Sequence, residues 1–280
     1  MIGLARAPLH LVPALLLAAA LGSAGHAQEA PRLDLPVDCA MGEDCFVQFH
    51  VDRDSGPGVL DYNCGGLTYN GHKGTDMRLP DLVAMEAGVN VITAAEGVVR
   101  AVRDGMPDIS ASEIDTSVIA GCEAGNAVVI AQPGGWESQY AHLRQGSALV
   151  RSGERVSRGQ SLGLIGMSGK ANYPHVHFEL RLKDVIIDPF TGDVTLQGYE
   201  PAGPGLWTPN AAALLAYRPS HLLNLGFAGA RPDRDAVRLG AERALVLSHS
   251  LPALLLWSDV FGTQSGDEEF FGSTRPTTIS

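Results

Sequence analysis

The chain has 280 residues, with 20 Lys and Arg against 31 Asp and Glu, and a formal net charge of −11. That length holds one or two domains. The acidic balance argues against nucleic acid as a partner, since phosphate backbones reward clustered Lys and Arg, and it serves solubility instead.

Residues 1–27 read as an export signal. Arg6 is the strong positive charge near the start, Leu11 to Leu21 is a short apolar run, and Gly25 and Ala27 supply a small-residue cleavage site. The run falls short of the about 20 apolar residues of a bilayer span. The competing reading is an uncleaved N-terminal anchor. No later segment reads as a membrane helix, because Ser248, His249, Ser250 and Pro252 interrupt the apolar stretch Ala244–Trp257. The cysteines Cys39, Cys45, Cys64 and Cys122 fit export, and four of them allow three disulfide pairings. The expected pairs are Cys39–Cys45 and Cys64–Cys122. The second would tie the approach to His72 to the far end of an inserted loop and stabilise by roughly 2–4 kcal/mol. Cysteine-ligated zinc is disfavoured, as no C-x-x-C spacing occurs.

Residues 28–60 form an N-terminal segment holding the Cys39–Cys45 loop and the turn cluster Gly56-Pro57-Gly58. From 61 to 190 short β-rich runs are punctuated by glycine, without a long amphipathic helix. This predicts an all-β domain, an antiparallel sandwich or barrel. The runs are Val91–Ala95, Val98–Val102, Ala127–Ile130, Trp136–His142, Ser161–Gly166 and His175–Leu182. Glu96-Gly97 between the first two reads as a hairpin turn. Residues 103–121 make a polar insertion with Asp104, Asp108, Glu113 and Asp115. It reads as a functional or mobile loop, or as a solvated one with a short helix at Ala111–Ile114.

Residues 191–209 read as a Gly/Pro linker. A small, incomplete β-rich accessory domain is expected over 210–266. It has a helix at Asn210–Tyr217, with Thr208 as cap and Pro209 at its first position. Its strands are His221–Phe227, Arg243–His249 and Leu254–Trp257. Residues 267–280 read as a disordered tail.

The chemistry sits in two motifs, Gly71-His72-Lys73-Gly74-Thr75-Asp76 and Pro174-His175-Val176-His177-Phe178-Glu179. Two histidines and a carboxylate make a three-ligand zinc site with one position left for water, the mark of a catalytic zinc. On a strand, His175 and His177 point to one face, with Glu179 further along it and Val176 and Phe178 on the other. Gly71 and Gly74 argue against a helix for His72 and Asp76, so an irregular turn is expected to curl both inward. Taken alone, His72 with Asp76 is as readily a surface loop pair. Their joint occurrence with H-x-H in one β-domain favours metal. His142, in Tyr140-Ala141-His142-Leu143, is a candidate for proton transfer. His50, His221 and His249 are isolated and read as ordinary histidines. Trp136 and Tyr140 read as packing residues.

These motifs, in this order, resemble the lysostaphin-like, or LytM-type, zinc metallopeptidases. The hairpin-like Val91 to Val99 and the glycine-rich Val156 to Gly169 resemble that family too, so the likeness covers residues 61–190. It implies His72, Asp76 and His177 as ligands of one Zn2+, and His142 and His175 as the catalytic pair. It implies a peptide-bond hydrolase acting on peptidoglycan peptides in the periplasm or outside the cell. A protein substrate is an alternative, as is a non-catalytic module that binds cell wall or regulates amidases. The five intact residues argue against the latter. One departure is Tyr173, where the family usually has a small residue just before Pro-His; a bulky ring there is expected to reshape the groove.

Overall fold

The computed structural model describes residues 29–193, 205–240 and 250–272. The expected export signal, the strand expected at Arg243–His249 and the last eight residues of the expected tail lie outside the described residues.

The fold is all-β and antiparallel. Its elements in order are β1 (Phe46–Phe49), β2 (Thr75–Arg78), α1 (Leu82–Ala87), β3 (Asn90–Ile92), β4 (Gly97–Arg103) and β5 (Asn126–Gln132). Then come β6 (Trp136–Leu143), β7 (Arg155–Val156), β8 (Ser161–Leu164), β9 (His175–Leu182) and β10 (Val185–Ile186). The chain continues with α2 (Pro209–Leu214), β11 (His221–Ala228), α3 (Arg234–Arg238) and β12 (Leu255–Phe261). The main sheet runs β1-β2-β9-β6-β5-β4-β7, with β10 on β9; β3 pairs β8, and β11 pairs β12. Among the described residues no helix is long and apolar enough to cross a membrane.

Alternation decides which side chains fill the core. Val176, Phe178 and Leu180 of β9 are buried, as are Val128 and Ile130 of β5. Trp136 and Tyr140 pack inside as expected, and the Tyr140 hydroxyl accepts the Ala94 N–H at 2.8 Å.

Two expectations fail. The hairpin at Glu96-Gly97 does not form, because β3 pairs with β8 and β4 with β5 and β7. Residues 93–94 are claimed by other partners: Thr93 N–H by the Gln160 carbonyl and Ala94 N–H by Tyr140. Gly97 serves close approach instead, since a Cβ there would lie 2.5 Å from Ile130. The disulfides are the second case. Cys39–Cys45 forms, but Cys64 and Cys122 are both free. The turn around Cys64 is closed by a carboxylate: Asp61 accepts the N–H groups of Asn63, Gly65 and Leu67 and the Tyr217 hydroxyl. Cys122 lies in a separate turn whose carbonyl accepts from Arg103.

The insertion at 103–121 is tied down. Asp104 accepts the Gly146 N–H, and Asp108 accepts those of Gln145 and Met167 at 2.9 and 2.7 Å. A turn of 3-10 helix spans Thr116–Ile119 rather than Ala111–Ile114.

Helix α2 starts as expected, with Thr208 capping Ala211 N–H and Pro209 in the first turn. Its packing goes beyond the expectation. Leu206, Trp207, Ala211 and Leu215 belong to the main core, and Leu33 bridges Trp207 in parallel. Trp207 lies against Phe178 and Phe190, each 5.6 Å between ring centres. His50 is buried nearby, with Phe190 at 4.8 Å, Tyr62 at 4.9 Å and a stacked Tyr217 at 5.7 Å. Burial pushes its pKa down to about 4.

Two outcomes follow. Trp207→Ala should cost about 3–5 kcal/mol in denaturant unfolding; a cost under about 1 kcal/mol would mean that this segment is only a tether. His50 has a folded pKa of about 4, below the unfolded 6.5, so its protonation favours unfolding. Its contribution is whole above pH 6.5 and is lost as pH falls toward 4, by up to about 3 kcal/mol. Melting of His50→Phe should therefore lose less stability than the wild type across that window; parallel curves would refute this.

Candidate metal centre

The β2–β9 ladder builds the site. Asp76 pairs across from His177, and Arg78 from His175. Residues two apart on a strand share a face, so Asp76, His175 and His177 converge. Asp76 thus stands on a regular strand, not in the expected irregular turn. His72 alone occupies the turn, after Gly71 at φ 75°. Gly74 is required by contact: a Cβ there would meet His177 Nε2 and the Phe178 carbonyl, each at 2.6 Å.

Nε2 of His72 lies 3.1 Å from Oδ1 of Asp76 and 3.1 Å from Nδ1 of His177, and that Nδ1 lies 2.8 Å from the same Oδ1. His72 and Asp76 are buried, His177 half-buried. His72 donates Nδ1–H to the His50 carbonyl at 2.7 Å. In its neutral form its Nε2 therefore carries a lone pair that faces a carboxylate. Such a crowd of acceptors needs a proton or a cation at its centre. Two imidazoles and one carboxylate suit zinc, with a coordination position to spare. Among the described residues, this trio is the group of His, Cys, Asp and Glu able to hold a metal ion.

Electrostatics agree with that geometry. Burial would raise the Asp76 pKa, but the imidazoles of His72, His175 and His177 hold it well below the usual carboxylate range. Burial would lower that of His177; hydrogen bonds to Asp76 and Glu179 reverse this and lift it to about 9. In the metal-free cluster, His177 is thus the group that keeps a proton.

His142, next to last on β6, stands at φ 62°, a left-handed conformation that turns its ring toward the cluster. Its ring centre lies 4.6 Å from that of His175 and 6.0 Å from that of His177. His142 donates Nδ1–H to the Ser168 carbonyl at 2.8 Å, and His175 to the Tyr173 carbonyl at 2.9 Å. Burial is the main force lowering both pKa values, that of His142 far below the ordinary histidine value. Both are therefore neutral at pH 7, with Nε2 unprotonated.

The five expected site residues thus come together. Several neighbours had no signal in the sequence. Tyr69 stacks on His72 at 4.4 Å, and three backbone carbonyls orient three imidazoles. Glu179, read only as lying on the same face, approaches His177 Nε2 to 3.7 Å. Tyr173 does not enter the groove. It is buried, packs on His175 at 4.7 Å, and lies under the Arg78 guanidinium at 4.5 Å. The groove above the cluster is about 300 Å³ and is lined by Tyr69, Lys73, Glu123, Gln139, Lys170 and Glu179 besides the histidines. His221 lies on β11, away from the cluster, and His249 is outside the described residues.

Comparison with known proteins bears on residues 70–189, which match the family model "Peptidase family M23". The peptidoglycan DD-endopeptidase ShyA of Vibrio cholerae is 30% identical over 130 residues, covering 46% of this chain and 25% of that protein. The cell division protein DipM of Caulobacter vibrioides is 29% identical over 119 residues, covering 42% of this chain and 17% of that protein. This chain therefore spans about a quarter of ShyA and about a sixth of DipM. The crystal structure of a zinc-containing peptidase from Vibrio cholerae superposes with a TM-score of 0.34 at 26% identity, over 54% of this chain and 40% of that one. Residues 70–189 of this chain are thus similar to peptidase family M23.

Proposed function

We propose that the chain is an exported zinc metalloendopeptidase that hydrolyses peptide bonds in peptidoglycan cross-links or stem peptides. The observation that carries this reading is the meeting of His72 Nε2, Asp76 Oδ1 and His177 Nδ1 within 3.1 Å, beside a second pair of neutral histidines. Support for the substrate comes from relatives named as peptidoglycan endopeptidases. Support for export comes from the signal-like residues 1–27 and from the Cys39–Cys45 disulfide, a bond of oxidising compartments.

In this reading His72, Asp76 and His177 hold the metal. Zinc, when bound, supplies a Lewis acid that polarises the scissile carbonyl and acidifies water to a pKa of about 7. The chain supplies the rest. Asp76 stays ionised at neutral pH, so the trio offers one anionic ligand atom. Glu179 faces His177 Nε2 and holds its ring with Nδ1 inward. The His50 carbonyl does the same for His72. His142 and His175 carry the proton traffic: each has Nδ1 occupied by a carbonyl, so each Nε2 is free to accept a proton from the nucleophile and return it to the leaving amine. Their rings also crowd the space where the tetrahedral oxyanion develops. Lys73 and Lys170 line the groove together with Glu123 and Glu179, a mixed lining that suits a peptide bearing both carboxylates and amines.

Digestion of purified sacculi by the full chain should release peptide-cleaved fragments in mass analysis, and a chelator should abolish this. Absence of chelator-sensitive cleavage would sink the proposal. His142→Ala should retain zinc, measured by atomic absorption, while turnover falls by roughly 10²–10⁴. His72→Ala should lose zinc and activity together. Unchanged hydrolysis by His142→Ala would remove that residue from the mechanism.

A further inference from the structure

A second cavity opens beside the site. It measures about 510 Å³ and is walled by residues of β1 and β2 on one side and of β11, α3 and β12 on the other. Arg78 marks the shared wall. It lies two residues beyond Asp76 on β2, on the same face.

The wall carries far more positive charge than it neutralises. Arg78, Arg231, Arg234 and Arg238 line the cavity, against Asp259 as the one carboxylate among the described residues. Arg78 is 2% exposed, yet its hydrogen bonds go to neutral acceptors: Gln48 Oε1 at 2.7 Å and the carbonyls of Leu79 and Pro80. A buried guanidinium with no ion pair among the described residues is costly. Arg231 and Arg234 are exposed and Arg238 half-buried, and none of the three forms an ion pair among the described residues.

Trp257 also lines the cavity and is 8% exposed. Among the described residues the wall therefore offers guanidinium donors in excess of anionic acceptors. Planar guanidinium forks fit carboxylate and phosphate oxygens in pairs.

We propose that this cavity is a binding site for a small oxyanion, held by the arginines that line it. The occupant lies beside the metal centre, separated from His175 by Arg78 and the Tyr173 ring stacked beneath it. The inference concerns the cavity and does not rest on the hydrolase reading.

The test is calorimetric titration of the zinc-loaded full chain with inorganic phosphate and, in a second arm, with citrate. Saturable binding of either anion is expected, weakened about tenfold or more by Arg234→Gln with Arg238→Gln, while zinc content stays unchanged. The two arms tell a phosphate ligand from a carboxylate one. Should the double variant melt lower than the wild type, Arg231→Gln, at an exposed side chain, must weaken the same binding. Binding that survives these substitutions undiminished belongs to the zinc site and overturns the proposal. So does failure of both anions to bind saturably.

Discussion

The register between β2 and β9 is the constraint from which the site follows. Asp76 sits opposite His177, and Arg78 opposite His175. A slip of one residue would turn Asp76 to the other face and present the neighbouring Thr75 or Met77 in its place. The register is held from the other side of the ladder, where Met77, Val176 and Phe178 are fully buried. Apolar packing on one face thus fixes polar geometry on the other. Gly74 adds a local condition, since any larger residue would collide with the His177 ring.

A second layer of control is carried by backbone. The carbonyls of His50, Ser168 and Tyr173 each take an Nδ1–H from an imidazole. Each bond selects a tautomer and leaves Nε2 facing the cluster. These carbonyls come from two separate parts of the chain, residue 50 and the connection between β8 and β9. The Ser168 carbonyl is wedged near Gly125, where a Cβ would approach it to 2.3 Å. Close packing of loops, more than side-chain chemistry, decides which nitrogen each histidine presents.

That division explains what was legible in the sequence. Spacing in Gly71–Asp76 and Pro174–Glu179 pointed to convergent side chains, and alternation gave most strands of the main sheet. What stayed hidden depends on partners rather than residue types. A carbonyl has the same chemistry in every residue, so the part played by His50 left no trace in its identity. The pairing of β3 with β8 could not be told from a β3–β4 hairpin, because Glu96-Gly97 looks like a turn whichever strand follows it. The pairing of Cys64 with Cys122 was inferred from count and export. It failed because Asp61 already closes the turn that a disulfide was expected to brace. Tyr173 was read as a groove residue from its bulk, whereas its ring is occupied by Arg78 and His175.

The segments flanking the family-matched stretch have a consequence of their own. Residues 70–189 do not close their own interior. Leu33 enters from before that stretch and Trp207 from after it, and the two bridge each other. Arg53 reaches Asp188 and Thr191, and the carbonyl that orients His72 belongs to residue 50. A fragment trimmed to the family limits would expose the underside of β9 and release the imidazole of its first histidine. Here the family-matched unit and the folding unit have different borders, and the folding unit is the larger.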